Sequence, residues 1–246
     1  MIMLARALWR TLAWLDLIVF TLLMYALSFI PRSRFGSTYD RLFQTWSRTF
    51  VRALGVDLRL HQHYAASLPD HYIVIANHPS AFEDIGIPAL FPAYSVAKIE
   101  VRDWYFAGRI SAAAGTLYLR REDKDSRAEA KNTIRSALEE KRNIAIYPEG
   151  GCKGRRINPF LYGIFQLSLE TGTPIVPVFI HYEAQEAFEW QGQTLPQKIV
   201  ELMFAPNKTA HYHVYEPINP ADFSTREDYT DSVQEMYLAW QEKHLL

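Results

Sequence analysis

The chain has 246 residues, 49% of them hydrophobic and 22% charged, a composition that excludes a largely disordered protein. The formal net charge of −1 gives no basis for a nucleic-acid partner. Cys152 is the only cysteine, so an internal disulfide is excluded and a reducing compartment fits.

The first predicted element is a long apolar helix. Residues 11–30 contain one charged residue, Asp16, and twenty such residues are just long enough to cross a bilayer. Basic residues on both sides leave its orientation open. A signal peptide is the alternative, although the apolar run is long for one. We expect an anchor that spans the membrane, dips into it or lies flat on it.

A second helix is predicted over residues 37–54. Its apolar side chains recur at spacings of three and four, and its arginines lie elsewhere on the helix. Basic and aromatic character suits a membrane surface, and packing on a globular domain is a compatible alternative. We therefore expect membrane-associated helices over residues 1–55 and an α/β domain over residues 56–246.

Strand and helix patterns alternate after this point, which is typical of an α/β fold. We predict a mixed, mostly parallel sheet flanked by helices. Strands are predicted over residues 57–60, 72–76, 94–98, 116–120, 143–147, 175–180, 199–204 and 210–215. Helices are predicted over residues 80–91, 102–113, 125–141, 160–171 and 225–243.

The strand over 72–76 ends in Asn77-His78-Pro79, where proline cannot continue a ladder. Glu83 and Asp84 then fall in the opening turn of the next helix. A neutral imidazole whose far nitrogen is held by a carboxylate can act as a general base. A turn histidine that only caps the loop is the alternative.

Two arginines end the strand predicted over 116–120, which Gly115 precedes. Strand alternation sends Arg120 and Arg121 to opposite faces, so only one of them can point into a given cleft. Arginine is suited to bidentate contact with phosphate. A solvated strand end is the alternative.

The strand over 143–147 breaks at Pro148 and is followed by Glu149, three glycines and three cations, among them Gly150 and Lys153. Glycines let the backbone approach an anion closely. The stretch lacks the lysine–threonine ending of a P-loop, so that motif is excluded. A plain surface turn is the alternative.

Together with the Ile175-Val176-Pro177-Val178 strand, these stretches resemble, in this order, the motifs of the lysophospholipid acyltransferase family. The resemblance covers roughly residues 70–182. Glu83 stands where the family has aspartate, with Asp84 one residue later, and Gly151 stands where the family has threonine. The family spacing favours Glu83 as the partner of His78 and leaves Asp84 as the rival.

The resemblance implies transfer of an acyl group from coenzyme A or acyl carrier protein to a lysolipid, most readily 1-acylglycerol-3-phosphate, on the cytoplasmic membrane face. His78 would take the hydroxyl proton, and no metal or prosthetic group is implied. The residues implied for substrate binding are Asn77, Lys98, Gly115, Arg121, Glu149, Gly150 and Lys153. Lyso-ornithine lipid is the alternative acceptor.

Three other hypotheses remain open at this stage. Cys152 or Ser80 could serve as the nucleophile of a hydrolase or ping-pong enzyme. The histidine pairs His61–His63 and His211–His213 could share a strand face and bind a metal, although no third ligand is spaced to complete a site. A non-catalytic membrane adaptor is the last alternative.

Overall fold

The computed structural model describes residues 2–120, 124–189 and 192–245, and these form a seven-stranded sheet in the order β1-β7-β6-β2-β5-β3-β4. Every neighbouring pair is parallel except β6 with β7, which is antiparallel. The strands are β1 Asp57–Gln62, β2 Ile73–Ala76, β3 Tyr94–Lys98, β4 Leu117–Leu119, β5 Ile144–Ile146, β6 Ile175–Tyr182 and β7 Thr209–Val214. The predicted mixed, mostly parallel sheet is confirmed.

Helices cover both faces of the sheet. They are α1 Ile2–Leu27, α2 Arg32–Leu54, α3 Glu83–Leu90, α4 Tyr105–Ala113, α5 Lys124–Glu139, α6 Gly163–Thr171, α7 Gln185–Phe188, α8 Leu195–Phe204 and α9 Arg226–Leu245. Short 3-10 helices span Ile99–Asp103 and Pro220–Asp222. Side chains of β2 alternate between two cores: Val74 packs with α2, α3 and α8, whereas Ile73 and Ile75 pack with α5, α6 and α9.

The strand predicted over 199–204 is wrong, because these residues form the end of α8. Thr194 and Gln197 make a reciprocal capping box, and a proline occupies the first turn. Leu195, Ile199 and Leu202 recur at helical spacing. The cap and this spacing outweigh the β-branched residues that suggested a strand.

Pro177 lies in β6, which is an interior strand between β7 and β2, not at the edge where a strand proline is usual. The Tyr237 hydroxyl of α9 restores hydrogen bonding at this point. It accepts a hydrogen bond from the Val178 amide at 3.0 Å and donates one to the Ile75 carbonyl at 2.9 Å. Tyr237 thus joins β2 to β6 beside the strand end that carries His78.

The two N-terminal helices pack on each other. Trp46 Nε1 donates to Thr21 Oγ1 at 2.9 Å, and the Tyr39 hydroxyl donates to the Met24 carbonyl at 3.0 Å. The remaining face of α1 exposes large apolar side chains, namely Leu8, Trp9, Leu12, Leu15, Ile18, Val19, Leu22 and Leu23. By length and composition alone, the segment Leu8–Leu27 could cross a membrane.

Candidate active site

The loop that carries His78 begins where β2 ends. Asn77 is buried, its Nδ2 donates to the Ile180 carbonyl at 2.8 Å, and its Oδ1 accepts from the Ile180 amide at 2.7 Å. This side chain continues the β2–β6 pairing by one residue after the strand hydrogen bonds stop. Asn77 therefore fixes the backbone from which His78 projects, and its amide is fully engaged within the protein.

His78 is paired with Glu83, the first residue of α3. His78 Nδ1 lies 2.7 Å from Glu83 Oε2, and Glu83 is completely buried. The same carboxylate accepts a hydrogen bond from the Ser80 amide at 3.0 Å and another from the Tyr182 hydroxyl. Because Nδ1 faces the carboxylate, Nε2 is the nitrogen of His78 that is left to exchange a proton with a substrate.

Opposing effects act on the ionisation of this pair. Burial lowers the pKa of His78, but the hydrogen bond and negative charge of Glu83 outweigh it and raise the pKa above its ordinary value. Burial has the larger effect on Glu83 and raises the pKa of its carboxyl group. The hydrogen bonds from His78, Tyr182 and Ser80 oppose that rise, because donors directed at the carboxyl group favour its ionised form, which can stabilise an imidazolium.

Asp84 does not take the partner role. Its exposed side chain faces the cleft and is hydrogen-bonded to the hydroxyl of Tyr147. The ring of Tyr147 in turn lies on the imidazole of His78. Because successive residues of a helix point about 100° apart, burying Glu83 against His78 turns Asp84 toward the cleft.

Glu149 holds the histidine loop from its other side. Its Oε1 accepts from the His78 amide at 3.0 Å, and its Oε2 accepts from the Asn158 amide at 2.9 Å and from Asn158 Nδ2 at 3.1 Å. Glu149 is buried, so these bonds occupy it within the protein. Gly150 follows with a φ of 75°, a conformation that favours glycine and turns the chain along the cleft.

A cleft of about 370 Å³ opens beside His78. The walls are formed by the ends of parallel strands and the glycine turn, and they include Asp84, Lys98, Trp104, Tyr147, Gly150, Gly151 and Cys152. Lys98 ends β3 with an exposed side chain. Lys153 is also exposed, and its amide donates to the His78 carbonyl at 3.3 Å.

An apolar cavity of about 170 Å³ adjoins this cleft. It lies between α2, α3, α4 and α8, and its apolar walls include Trp46, Phe50, Ile85, Ala107, Ile110, Ile199 and Leu202. Ala81, Asp84, Val101 and Trp104 border both spaces. A cleft lined by His78, whose imidazole is paired with the buried Glu83, therefore leads directly into an apolar cavity.

Comparison with known proteins places this arrangement in a family. Residues 58–181 match the sequence model of the Acyltransferase family, which is about half of the chain. The chain belongs to this family. The match contains His78, Glu83, Asp84, the glycine turn and most of β6, and it makes the protein an acyltransferase rather than a non-catalytic adaptor.

Two relatives of this acyltransferase differ in the acceptor that their names give. It is 29% identical over 187 residues to a lyso-ornithine lipid O-acyltransferase of Pseudomonas aeruginosa, covering 73% of this chain and 70% of that protein. It is 25% identical over 136 residues to a 1-acyl-sn-glycerol-3-phosphate acyltransferase of Neisseria meningitidis, covering 55% of this chain and 53% of that protein.

The same fold occurs in a solved structure. The crystal structure of the 1-acyl-sn-glycerophosphate acyltransferase of Thermotoga maritima superposes with a TM-score of 0.69 at 19% identity. The superposition covers 94% of this chain and 97% of that one. The acyltransferase fold therefore includes the N-terminal helices as well as the sheet.

Not every residue predicted for substrate binding is found at the cleft beside His78. Gly115 lies before β4 with a φ of 83°, and a Cβ there would come within 2.8 Å of the Tyr94 ring. This position is at the amino end of β4, whereas the cleft lies at the carboxyl ends of the parallel strands. Gly115 therefore forms a tight turn. Arg121 lies outside the described residues.

The two alternative nucleophiles are poorly placed for attack. Ser80 is buried, and its Oγ donates to the Phe188 carbonyl at 2.7 Å and accepts from the Phe82 amide at 3.0 Å. Desolvation, together with the nearby carboxylates, raises the pKa of the Cys152 thiol to about 12. A thiol with such a pKa forms little thiolate at neutral pH, so neither side chain is poised as a nucleophile.

Sequence reasoning missed two aromatic residues that contact the His78–Glu83 pair. Tyr182 ends β6 and donates to Glu83, while Tyr147 follows β5 and stacks on His78. Both strands run parallel to β2, so their carboxyl ends reach the same edge of the sheet as His78. Both tyrosines could have been predicted as site residues, because each is a polar aromatic residue at the end of a predicted parallel strand.

Proposed function

We propose that this acyltransferase moves a fatty acyl group from a thioester of coenzyme A or acyl carrier protein to the free hydroxyl of a lysophospholipid. The preferred acceptor is 1-acylglycerol-3-phosphate, which would give phosphatidate. The supporting observation is the His78–Glu83 pair at the entrance to an apolar cavity. A general base beside such a cavity suits a substrate that has both a hydroxyl group and a long hydrocarbon chain.

His78 acts as the general base in the proposed mechanism. Its Nε2 takes the proton of the acceptor hydroxyl as that oxygen attacks the thioester carbonyl, and backbone N–H groups of the cleft stabilise the oxyanion. The C–O ester bond forms, the C–S bond breaks, and the proton passes from His78 to the departing sulfur. General-base catalysis supplies about 10²–10⁴-fold, so positioning of the two substrates must supply the rest.

The two spaces beside the His78–Glu83 pair would bind different parts of the substrates. The cavity between α2, α3, α4 and α8 takes an acyl chain, since its walls are apolar and it begins beside His78. The cleft beside His78 takes the acceptor headgroup, and Lys98 supplies a positive charge there. We assign Arg121 to the acceptor phosphate because its place in the family motif puts an arginine just after β4.

Lyso-ornithine lipid is the second candidate acceptor. The support for it is the Pseudomonas aeruginosa relative, whose match extends over 73% of the chain. Gly151 is also consistent with a different headgroup, because it replaces the threonine of the family motif and an added Cβ there would meet no atom within 4 Å. The glycine turn therefore has room for a larger group than phosphate.

The N-terminal helices would hold the enzyme on the cytoplasmic face of a membrane. One face of α1 packs on α2, and Asp16 pairs with Arg52 along this contact, while the other face is apolar and exposed. An apolar face of this kind is stabilised by burial in lipid. Because α2 also lines the apolar cavity, a lipid chain could pass from the membrane to His78 along a short path.

The decisive experiment assays the purified full chain in mixed micelles with labelled acyl-CoA or acyl carrier protein thioester and each of the two acceptors. We expect ester formation with one acceptor, and loss of turnover to background in His78→Ala with the thermal unfolding midpoint unchanged. His71→Ala, which removes a histidine outside the cleft, is the matched control. Near-wild-type turnover in His78→Ala would contradict the assignment of His78 as the general base. Faster reaction of lyso-ornithine lipid than of 1-acylglycerol-3-phosphate would select the second acceptor.

A further inference from the structure

A second cluster of titratable groups lies on the far part of the sheet, on β1, β7 and β6. Its members are histidines that share one sheet face or pack over it: His61, His63, His181, His211, His213 and His244. The parallel register places His61 beside His213, and the antiparallel register places His181 beside His211. Strand pairing therefore brings a third histidine to each pair, which spacing along the sequence did not indicate.

The ring nitrogens in this cluster approach one another closely. His61 Nε2 lies 2.8 Å from His211 Nδ1, and His63 Nε2 lies 2.9 Å from His213 Nδ1. One ring nitrogen from each of His61, His211 and His213 falls within 4.8 Å of the other two. Nitrogens on a tetrahedral zinc ion lie about 3.3 Å apart, because each Zn–N bond is about 2.0–2.1 Å long. Small side-chain rotations would bring all three to one ion.

The buried member of this triad has an unused ligand atom. His213 is 6% exposed, and its Nε2 has no hydrogen-bond partner among the described residues. Buried polar atoms are nearly always paired, so an orphaned imidazole nitrogen within a histidine cluster points to a missing partner.

A carboxylate supports the more exposed part of the triad. Glu183 Oε1 lies 2.9 Å from His211 Nε2, which leaves His211 Nδ1 to face His61. A metal-bound histidine usually donates its second N–H to such an acceptor, which fixes the ring and raises its basicity. Glu183 and His211 already have the arrangement that this pattern requires, and the partly exposed His61 leaves a path from solvent.

We propose that His61, His211 and His213 bind a divalent transition-metal ion of the zinc class, with Glu183 orienting His211. Three imidazoles suit zinc, nickel or copper and do not suit magnesium or calcium, which prefer oxygen ligands. The ion is structural, because the histidine cluster and the His78 site lie on opposite faces of the sheet. His181 of the cluster and the neighbouring Tyr182 point to opposite faces of β6, and only Tyr182 reaches Glu83. The ion joins β1 to β7.

Calorimetric titration of the untagged full chain with Zn²⁺, after chelator treatment and dialysis, tests this proposal. We expect a saturable isotherm with one ion per chain, a rise in the thermal unfolding midpoint and no response to Mg²⁺. His61→Ala and His211→Ala each remove a partly buried ligand and should weaken binding about tenfold or more, with Glu183→Gln weakening it about tenfold. His71→Ala, outside the cluster, should bind as the unaltered chain does.

A second group of three histidines around His213 could bind the ion instead, and substitutions distinguish the two groups. His63, His213 and His244 also bring three nitrogens within 4.8 Å of one another. Loss of binding in His244→Ala with unchanged binding in His211→Ala would overturn the assigned ligand set. Absence of saturable Zn²⁺ binding in the folded chain, or equal affinity in His61→Ala, His211→Ala and the unaltered chain, would overturn the metal site itself.

Discussion

The imidazole of His78 lies flat on the phenol ring of Tyr147, with ring centroids 4.0 Å apart and planes 8° from parallel. Glu83 holds the same imidazole at its edge through Nδ1. Contact with both the face and the edge of the ring leaves His78 one orientation, with Nε2 toward the cleft. The geometry that the proposed general base needs is therefore formed before substrate binds, which avoids reorganisation during the proposed reaction.

The choice of carboxylate can be tested with two isosteric substitutions. Glu83→Gln should lower kcat by orders of magnitude, because the imidazolium loses the negative charge that stabilises it, whereas Asp84→Asn should have a mild effect. Steady-state rates measured at saturating substrates decide between them. A larger loss in Asp84→Asn would show that Asp84, despite its position, carries the counter-charge.

The acid limb of the pH–rate profile should report His78. A general base must be neutral, so activity is lost as pH falls through the pKa of His78, which Glu83 raises above the ordinary histidine value of about 6.5. In Glu83→Gln, burial is no longer opposed by that charge, and the inflection in kcat/KM should move to lower pH. An unchanged acid limb in this variant would assign the titration to another group.

The apolar cavity should set the preferred length of an acyl chain. Ala107 lines the cavity from α4, and Ala107→Phe fills part of it, so kcat/KM for long-chain substrates should fall more than for short-chain ones. Ala112→Phe makes the same change at an exposed position of α4 and should leave the chain-length profile unaltered. The same chain-length profile in Ala107→Phe and Ala112→Phe would show that the acyl chain does not bind in this cavity.

Arg121 should distinguish the two substrates. Arg121→Ala is expected to raise KM for a phosphorylated acceptor by about tenfold or more, with little change in KM for the acyl donor, because a charge-assisted contact is worth roughly 1.5–3 kcal/mol. Arg120→Ala is the control from the neighbouring position. An effect confined to Arg120→Ala, or equal losses for donor and acceptor, would contradict the assignment.

The Tyr237 hydroxyl should contribute more to the free energy of unfolding than the hydroxyl of an exposed tyrosine does. Tyr237→Phe leaves the buried Val178 amide and Ile75 carbonyl without this partner, which should lower the free energy of unfolding by about 1–3 kcal/mol. Urea denaturation of the full chain measures the difference. Tyr162→Phe, at an exposed tyrosine, should change stability by less than about 0.5 kcal/mol, and equal effects would remove the proposed role of Tyr237.

The sequence by itself determined the alternating elements, the mostly parallel sheet and the strand end that carries His78. These features depend on local signals, because side-chain periodicity and the backbone limits of proline act within one turn or strand. The same local signals failed at residues 199–204, because a capping box that begins at Thr194, ahead of the predicted strand, starts a helix there. They also left the choice between Glu83 and Asp84 open.

Only the tertiary structure decided which side chains meet. Glu83 faces His78 because α3 begins at Glu83, and a shift of one residue would turn the side chain by about 100°. Tyr182 reaches Glu83 from 99 residues away, and His211 meets His61 from 150 residues away. These contacts follow from strand order and register, which depend on how all elements pack around two shared cores and not on any single segment.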